Sequence, residues 1–214
     1  MFSRLVLLSA LCSSLVSALP APATDLHRIF RRDNSAATII GKIMPSSLSC
    51  DTNDVLFPDQ CATNVQAAPY FISSMAQWGV TSAPEIAALL ALTAVESGEL
   101  RYRHSEYPVI AGKGTSNMQS PDFNAQYAAA IPALASGVAA ANGDPDAILA
   151  LLTVDEYNFG SAAWYLSAVC TDEVRSQLQG NTDAGFTAYM VCVGAPMTDQ
   201  RMDYWHTAQA AFGL

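Results

Sequence analysis

The chain predicts an all-α domain, or a mainly α one with a small β element. Three observations carry this. Apolar runs recur at helical spacing, each opened by Asp, Asn, Ser, Thr or Gly; alternating apolar patterns are almost absent; and the cysteines suit two disulfide staples. Thr63-Asn64-Val65-Gln66 opens a first helix that Gly79 closes. Ser82-Ala83-Pro84-Glu85 has the form of a capping box with proline in the first turn, and strong helix formers follow to Thr93. Ser120-Pro121-Asp122 caps a helix running through Phe123, Tyr127 and Ala130 to a kink at Pro132. Asp144-Pro145 starts another through Leu149 and Leu152. Segments 159–169, 173–178, 187–191 and 199–211 complete seven or eight helices. Tyr102, Tyr107, Val109 and Ile110, set among turn residues, predict a small β element between positions 100 and 111.

The N-terminus predicts export. Arg4, an apolar run over 5–11 and Val16-Ser17-Ala18 have the anatomy of a signal peptide (1–18), too short to span a membrane. Residues 19–32 read as a pro-segment ending in the dibasic pair Arg31-Arg32, so the mature chain starts at Asp33 and is secreted and extracellular. Residues 33–62, poor in helix signals and carrying Pro45, Ser46, Ser47 and Pro58, read as an irregular arm. Residues 63–214 form the main domain, with room for a substantial core. Removing 1–32 leaves six basic and eighteen acidic residues, a formal charge of −12. No basic patch survives, which argues against nucleic acid and anionic membrane as partners. Cys12 leaves with the signal. Cys50, Cys61, Cys170 and Cys192 remain, three pairings are possible, and local pairing, Cys50 with Cys61 and Cys170 with Cys192, is the expectation. Cys and His spacing offers no metal site, and no cofactor is expected.

One carboxyl stands out. Ile86, Leu89, Leu90 and Thr93 form a stripe that Glu96 continues, so Glu96 is expected to point inward, whereas Glu85 and Glu99 need not. Burial disfavours a charged carboxylate, so a sheltered Glu96 reads as a poised proton donor. The alternative is a structural Glu, paired with Arg101 or Arg103 or capping a neighbouring loop. Downstream, 111–119 is polar and broken by glycines that would let backbone approach a ligand. Its Gly-x-Gly is a weak phosphate signal, since no strand precedes it. Tyr157 and Asn158 lie at a helix entrance, a natural place for lining a site, while Trp164 reads as core.

These blocks carry a resemblance. Glu96-Ser97-Gly98, Asn117-Met118-Gln119 and Tyr157-Asn158-Phe159-Gly160 follow the order of the Glu-Ser, Gly-Leu-Met-Gln and Ala-Tyr-Asn-Ala-Gly motifs of goose-type lysozymes and lytic transglycosylases. They also resemble the Glu-Thr-Gly, Gly-Arg-Gly…Asn-Tyr and Ala-Leu-Trp-Phe segments of plant-type chitinases. With its leader, the chain looks most similar to secreted fungal muramidases, over roughly Gln66 to Trp164. It departs from the motifs in reading Ser-Asn-Met-Gln and Glu-Tyr-Asn-Phe-Gly. The resemblance implies a lysozyme-like domain and a glycosidase cutting β-1,4 links of peptidoglycan, with Glu96 as general acid. Asn117, Gln119, Tyr127, Tyr157 and Asn158 would bind substrate. Glycoside hydrolysis usually takes a second carboxylate, and Glu99, Glu106, Asp122, Asp155 and Glu156 are all available by type. The partner expected is a polysaccharide, bound by a monomer. The acidic charge suits chitin or chitosan at least as well as peptidoglycan. A non-catalytic carbohydrate-binding or effector protein is the other reading.

Overall fold

The computed structural model describes residues 35–51 and 55–214. The expected leader, pro-segment and dibasic pair lie outside the described residues. The protein is mainly helical, 63% helix against 6% strand, which bears out the fold class.

The first element corrects the expectation of an irregular arm. Helix α1, Ala36–Ile43, is capped by Ser35, whose Oγ accepts from Thr38 N at 3.2 Å. Its β-branched residues and Gly41 are poor local helix formers; the helix persists because Ile39, Ile40 and Ile43 enter the core. Helix α2, Asn64–Gln77, begins with a full capping box between Thr63 and Gln66. Helix α3, Ala83–Glu96, is buried continuously from Glu85 to Ala94 and forms the centre of the molecule.

A small antiparallel hairpin follows, β1 (His104–Glu106) and β2 (Val109–Gly114), where a β element was expected. Helix α4, Pro121–Ala129, does not kink at Pro132 but ends, and the 3₁₀ turn Pro132–Leu134 leads into α5, Ala135–Ala141. Proline lacks the N–H that would continue the ladder. Then come α6 (Pro145–Leu152), the single turn α7 (Asp155–Asn158), α8 (Ser161–Ala168), α9 (Asp172–Gln179), α10 (Asp183–Cys192) and α11 (Asp199–Phe212). Helix α11 lies along α3 and reaches α1. Trp205 stacks on Phe186 at 5.1 Å between ring centroids, and its Nε1 donates to Asp183 at 3.0 Å. Fully buried side chains of this size contribute about 1.5–3 kcal/mol each.

Both disulfides pair locally as expected, Cys50–Cys61 and Cys170–Cys192. The second ties the end of α8 to the last turn of α10. No described helix is long and apolar enough to cross a membrane.

The buried acid of α3 is Glu85, not Glu96. Glu85 is 1% exposed. It accepts from Ser82 Oγ at 2.6 Å and from Arg175 Nε of α9 at 2.7 Å. Because α3 is enclosed on all sides, the apolar stripe marks no single inward face. Pairing with a guanidinium, supplied ninety positions away, is what makes burial of the carboxylate tolerable.

Candidate functional site

Glu96 ends α3, and the chain then turns sharply. Ser97 Oγ donates to Thr93 O at 2.7 Å and accepts from Leu100 N at 2.9 Å. Gly98, Glu99 and Leu100 all have positive φ, +57°, +59° and +69°. A left-handed conformation of non-glycine residues costs on the order of 1–3 kcal/mol each and persists only where surroundings hold it. Here Glu99 is held by Ser46 N and by the Tyr204 hydroxyl. A Cβ on Gly98 would lie 2.9 Å from Tyr102 Cδ2. The corner releases Glu96 toward a groove.

Glu96 forms an ion pair with Arg201 Nη2 on α11, where the helix cap at Thr198 accepts from Arg201 N. The side chains are 20% and 13% exposed, so the pair is partly sheltered. The expected lone acid in an apolar wall is therefore corrected. The carboxylate is matched by a cation, Arg201, while Arg103 pairs with Asp155. Behind it Tyr189 is fully buried, and among the described residues its hydroxyl finds no hydrogen-bond partner. Burial above all, then the neighbouring Tyr165 and Glu96, pushes ionisation of that phenol far above the usual range.

Two cavities meet at Glu96. The larger, about 490 Å³, is lined by Leu92 and Glu96 of α3, Ile110 and Lys113 of β2, the loop Asn117-Met118-Gln119-Ser120, Phe123, Tyr165, the segment Val193-Gly194-Ala195-Pro196 and Arg201. The smaller, about 310 Å³, continues past Tyr102, His104, Ser105, Glu106 and Tyr107. Glu96, Lys113 and Met118 line both, so the two form one groove with Glu96 at its waist.

Of the expected site residues, Glu96, Asn117 and Gln119 are brought together. Asn117 and Gln119 sit in a fixed polar network: Ser161 Oγ donates to Asn117 Oδ1 at 3.0 Å, and Gln119 Nε2 donates to Asn124 Oδ1 at 3.0 Å. Tyr127, Tyr157 and Asn158 are not at the groove. Tyr127 is core, 2% exposed, ringed by Trp78 and Trp164. Tyr157 opens onto a different cleft. Asn158 is buried, its carbonyl accepting from Ser116 and Ser161. The glycines of the loop serve packing rather than ligand approach: a Cβ on Gly112 would strike Pro145, and one on Gly114 would strike Arg103 O and Leu149.

Among the five other acids, Glu106 alone lines the groove beside Glu96. Glu99 is tied down, and Asp155 pairs with Arg103 at 2.6 Å. Sequence reasoning missed Lys113, Tyr165, Arg201 and the 193–196 wall. Arg201 stands 105 positions from Glu96, and no local pattern links the two. Among the described residues, no group of three or more His, Cys, Asp and Glu side chains is placed to hold a metal ion.

No protein-family model and no solved structure matches the chain. A curated protein does match it. The bifunctional dioxygenase–epoxy alcohol synthase of Fusarium oxysporum (strain Fo5176) is 42% identical over 164 residues. The match takes in 73% of this chain and 13% of the relative, so the chain spans about an eighth of the length of that protein. This finding overturns the resemblance to lysozymes, transglycosylases and chitinases, and with it the glycosidase and muramidase assignment: the named relative is a dioxygenase and epoxy alcohol synthase. The three motif blocks are short and depart from their patterns, whereas the relation to the Fusarium protein extends over most of the chain. The ion-paired state of Glu96 also removes the physical ground on which proton donation was expected.

Proposed function

We propose that the chain is an exported, disulfide-stapled binding module whose groove holds an extended, hydroxyl-rich strand, a polysaccharide, with no bond cleavage assigned to it. One observation carries this reading: the groove runs on both sides of Glu96 and combines hydrogen-bonding groups with aromatic and aliphatic ones. The Glu96 carboxylate accepts hydrogen bonds and the Arg201 guanidinium donates them, so the pair can grip vicinal hydroxyls without moving a proton. Tyr102, Tyr107 and Phe123 offer rings against which a sugar face can lie. The leader-like N-terminus and the two disulfides support export.

Co-sedimentation with insoluble chitin, chitosan and peptidoglycan tests the proposal. Pro196 is exposed on the groove rim, and Pro196→Trp fills the groove; it should lower affinity for the bound polymer at least about tenfold, 1.4 kcal/mol. Retention of full affinity by this variant, or no binding to any polymer, refutes it.

The 42% identity favours a second reading, that the chain shares part of the oxidative activity named for the Fusarium protein. Dioxygen uptake by the isolated chain with that relative's own substrate decides it.

A further inference from the structure

A second cleft, about 400 Å³, lies where α2, the end of α4 and α7 meet, and shares no lining residue with the groove. Turn α7 is anchored at its start by Arg103. Asp155 pairs with Arg103 at 2.6 Å, and the same guanidinium donates to Thr153 O at 2.7 Å. The next two residues, Glu156 and Tyr157, line the cleft.

Glu156 is exposed, and none of the ion pairs among the described residues uses it. Ile131 and Pro132 give the cleft an apolar floor, and Gln77 adds an amide at its rim. At the back stands the Tyr127 hydroxyl, already donating to Tyr157 O at 3.0 Å. Its ionisation is pushed up by burial first, then by Tyr157 and Glu156, so the Glu156 charge is felt within the cleft. A carboxylate that accepts only, an aromatic ring beside it and an apolar floor beneath it suit a cation on a hydrocarbon stem. The acidity of the chain raises the local concentration of such cations.

We propose that this cleft binds a guanidinium or ammonium group carried on an apolar stem, either a free alkylamine or the side chain of an arginine or lysine in a partner protein. The inference stands independently of the groove and its ligand.

The test is a two-dimensional NMR titration of the full chain with agmatine and, separately, with the blocked peptide acetyl-Gly-Arg-Gly-amide. Saturable shifts at Gln77, Tyr157 and Gly160 are expected. Tighter binding of agmatine identifies the free-amine source, and tighter binding of the peptide identifies a partner side chain. Glu156→Gln, at an exposed position outside the ion pairs among the described residues, should keep the wild-type spectrum and weaken binding about tenfold. Raised salt should weaken wild-type binding more than that of the variant. Absence of saturable shifts with both probes overturns the proposal, and so does equal binding of the uncharged analogue N-butylurea. Affinity within twofold of wild type in Glu156→Gln also overturns it.

Discussion

Opening the Cys170–Cys192 bridge separates two roles that one covalent bond combines. The bridge spans 22 positions, a segment that contains α9 and α10, and the groove wall Val193-Gly194-Ala195-Pro196 starts at the very next residue. Loop-closure entropy for a ring of that size amounts to about 3.4 kcal/mol at 25 °C. For a domain of this length that is a loss of roughly 7–14 °C in Tm. The Cys50–Cys61 bridge spans 11 positions, and the same relation gives about 2.8 kcal/mol. Cys170→Ala/Cys192→Ala and Cys50→Ala/Cys61→Ala should therefore melt at similar, lowered temperatures in a calorimeter. Their binding should differ. Only the Cys170/Cys192 variant frees the wall, so only it should lose affinity for the polymer that wild type retains, measured well below either melting point. Equal loss of affinity in both variants, or none in the Cys170/Cys192 variant, would refute the idea that this bridge positions the wall.

Arg175→Met strips Glu85 of its cation inside the core and should destabilise by about 3–5 kcal/mol in urea titration, while Glu85→Leu/Arg175→Met should recover most of the loss. A single variant indistinguishable from wild type would contradict the burial argument. Alkaline titration is the other check. Tyr127, Tyr189 and Tyr204 have phenols whose ionisation is raised in the fold above the ordinary value of 10.0, by burial first in each case. A group raised in this way contributes stability that is fully present below its unfolded value and is lost as pH climbs past it. Unfolding free energy should thus fall above pH 10, by about 1.4 kcal/mol per pH unit for the fully buried Tyr189 alone. Tyrosinate absorbance from these residues should rise together with loss of helical circular dichroism, not before it.

Helix starts were legible wherever a side chain caps locally. Thr63, Ser82, Ser120 and Asp144 each accept from the first-turn amides, as their sequence context predicts. Helix α1 was not legible, because its stability comes from α2, α3 and α11 rather than from its own residues. The same limit applied to the acids. Periodicity ranked Glu96 above Glu85, yet the decisive partners, Arg201 and Arg175, arrive from the C-terminal third. Asn117 and Gln119 line the groove with Glu96, since a polar loop entering a helix has few places to go. Tyr127 was misplaced: a tyrosine beside Ala128 on α4 reads the same whether its ring lines a groove or fills the core. The motif blocks misled about function because three short matches in order constrain far less than an alignment over 164 residues.

The groove is assembled from segments dispersed along the chain: 92–96, 102–107, 110–123, Tyr165 and 193–201. A ribosome must therefore deliver the chain as far as Arg201 before the cleft at Glu96 has its second side. Until α11 docks, the carboxylate lacks its guanidinium and the central helix lacks its cover, so a nascent or clipped chain ending short of Arg201 presents bare apolar surface to chaperones and proteases. Recognition by the groove becomes, in that sense, a certificate that synthesis has run past this point.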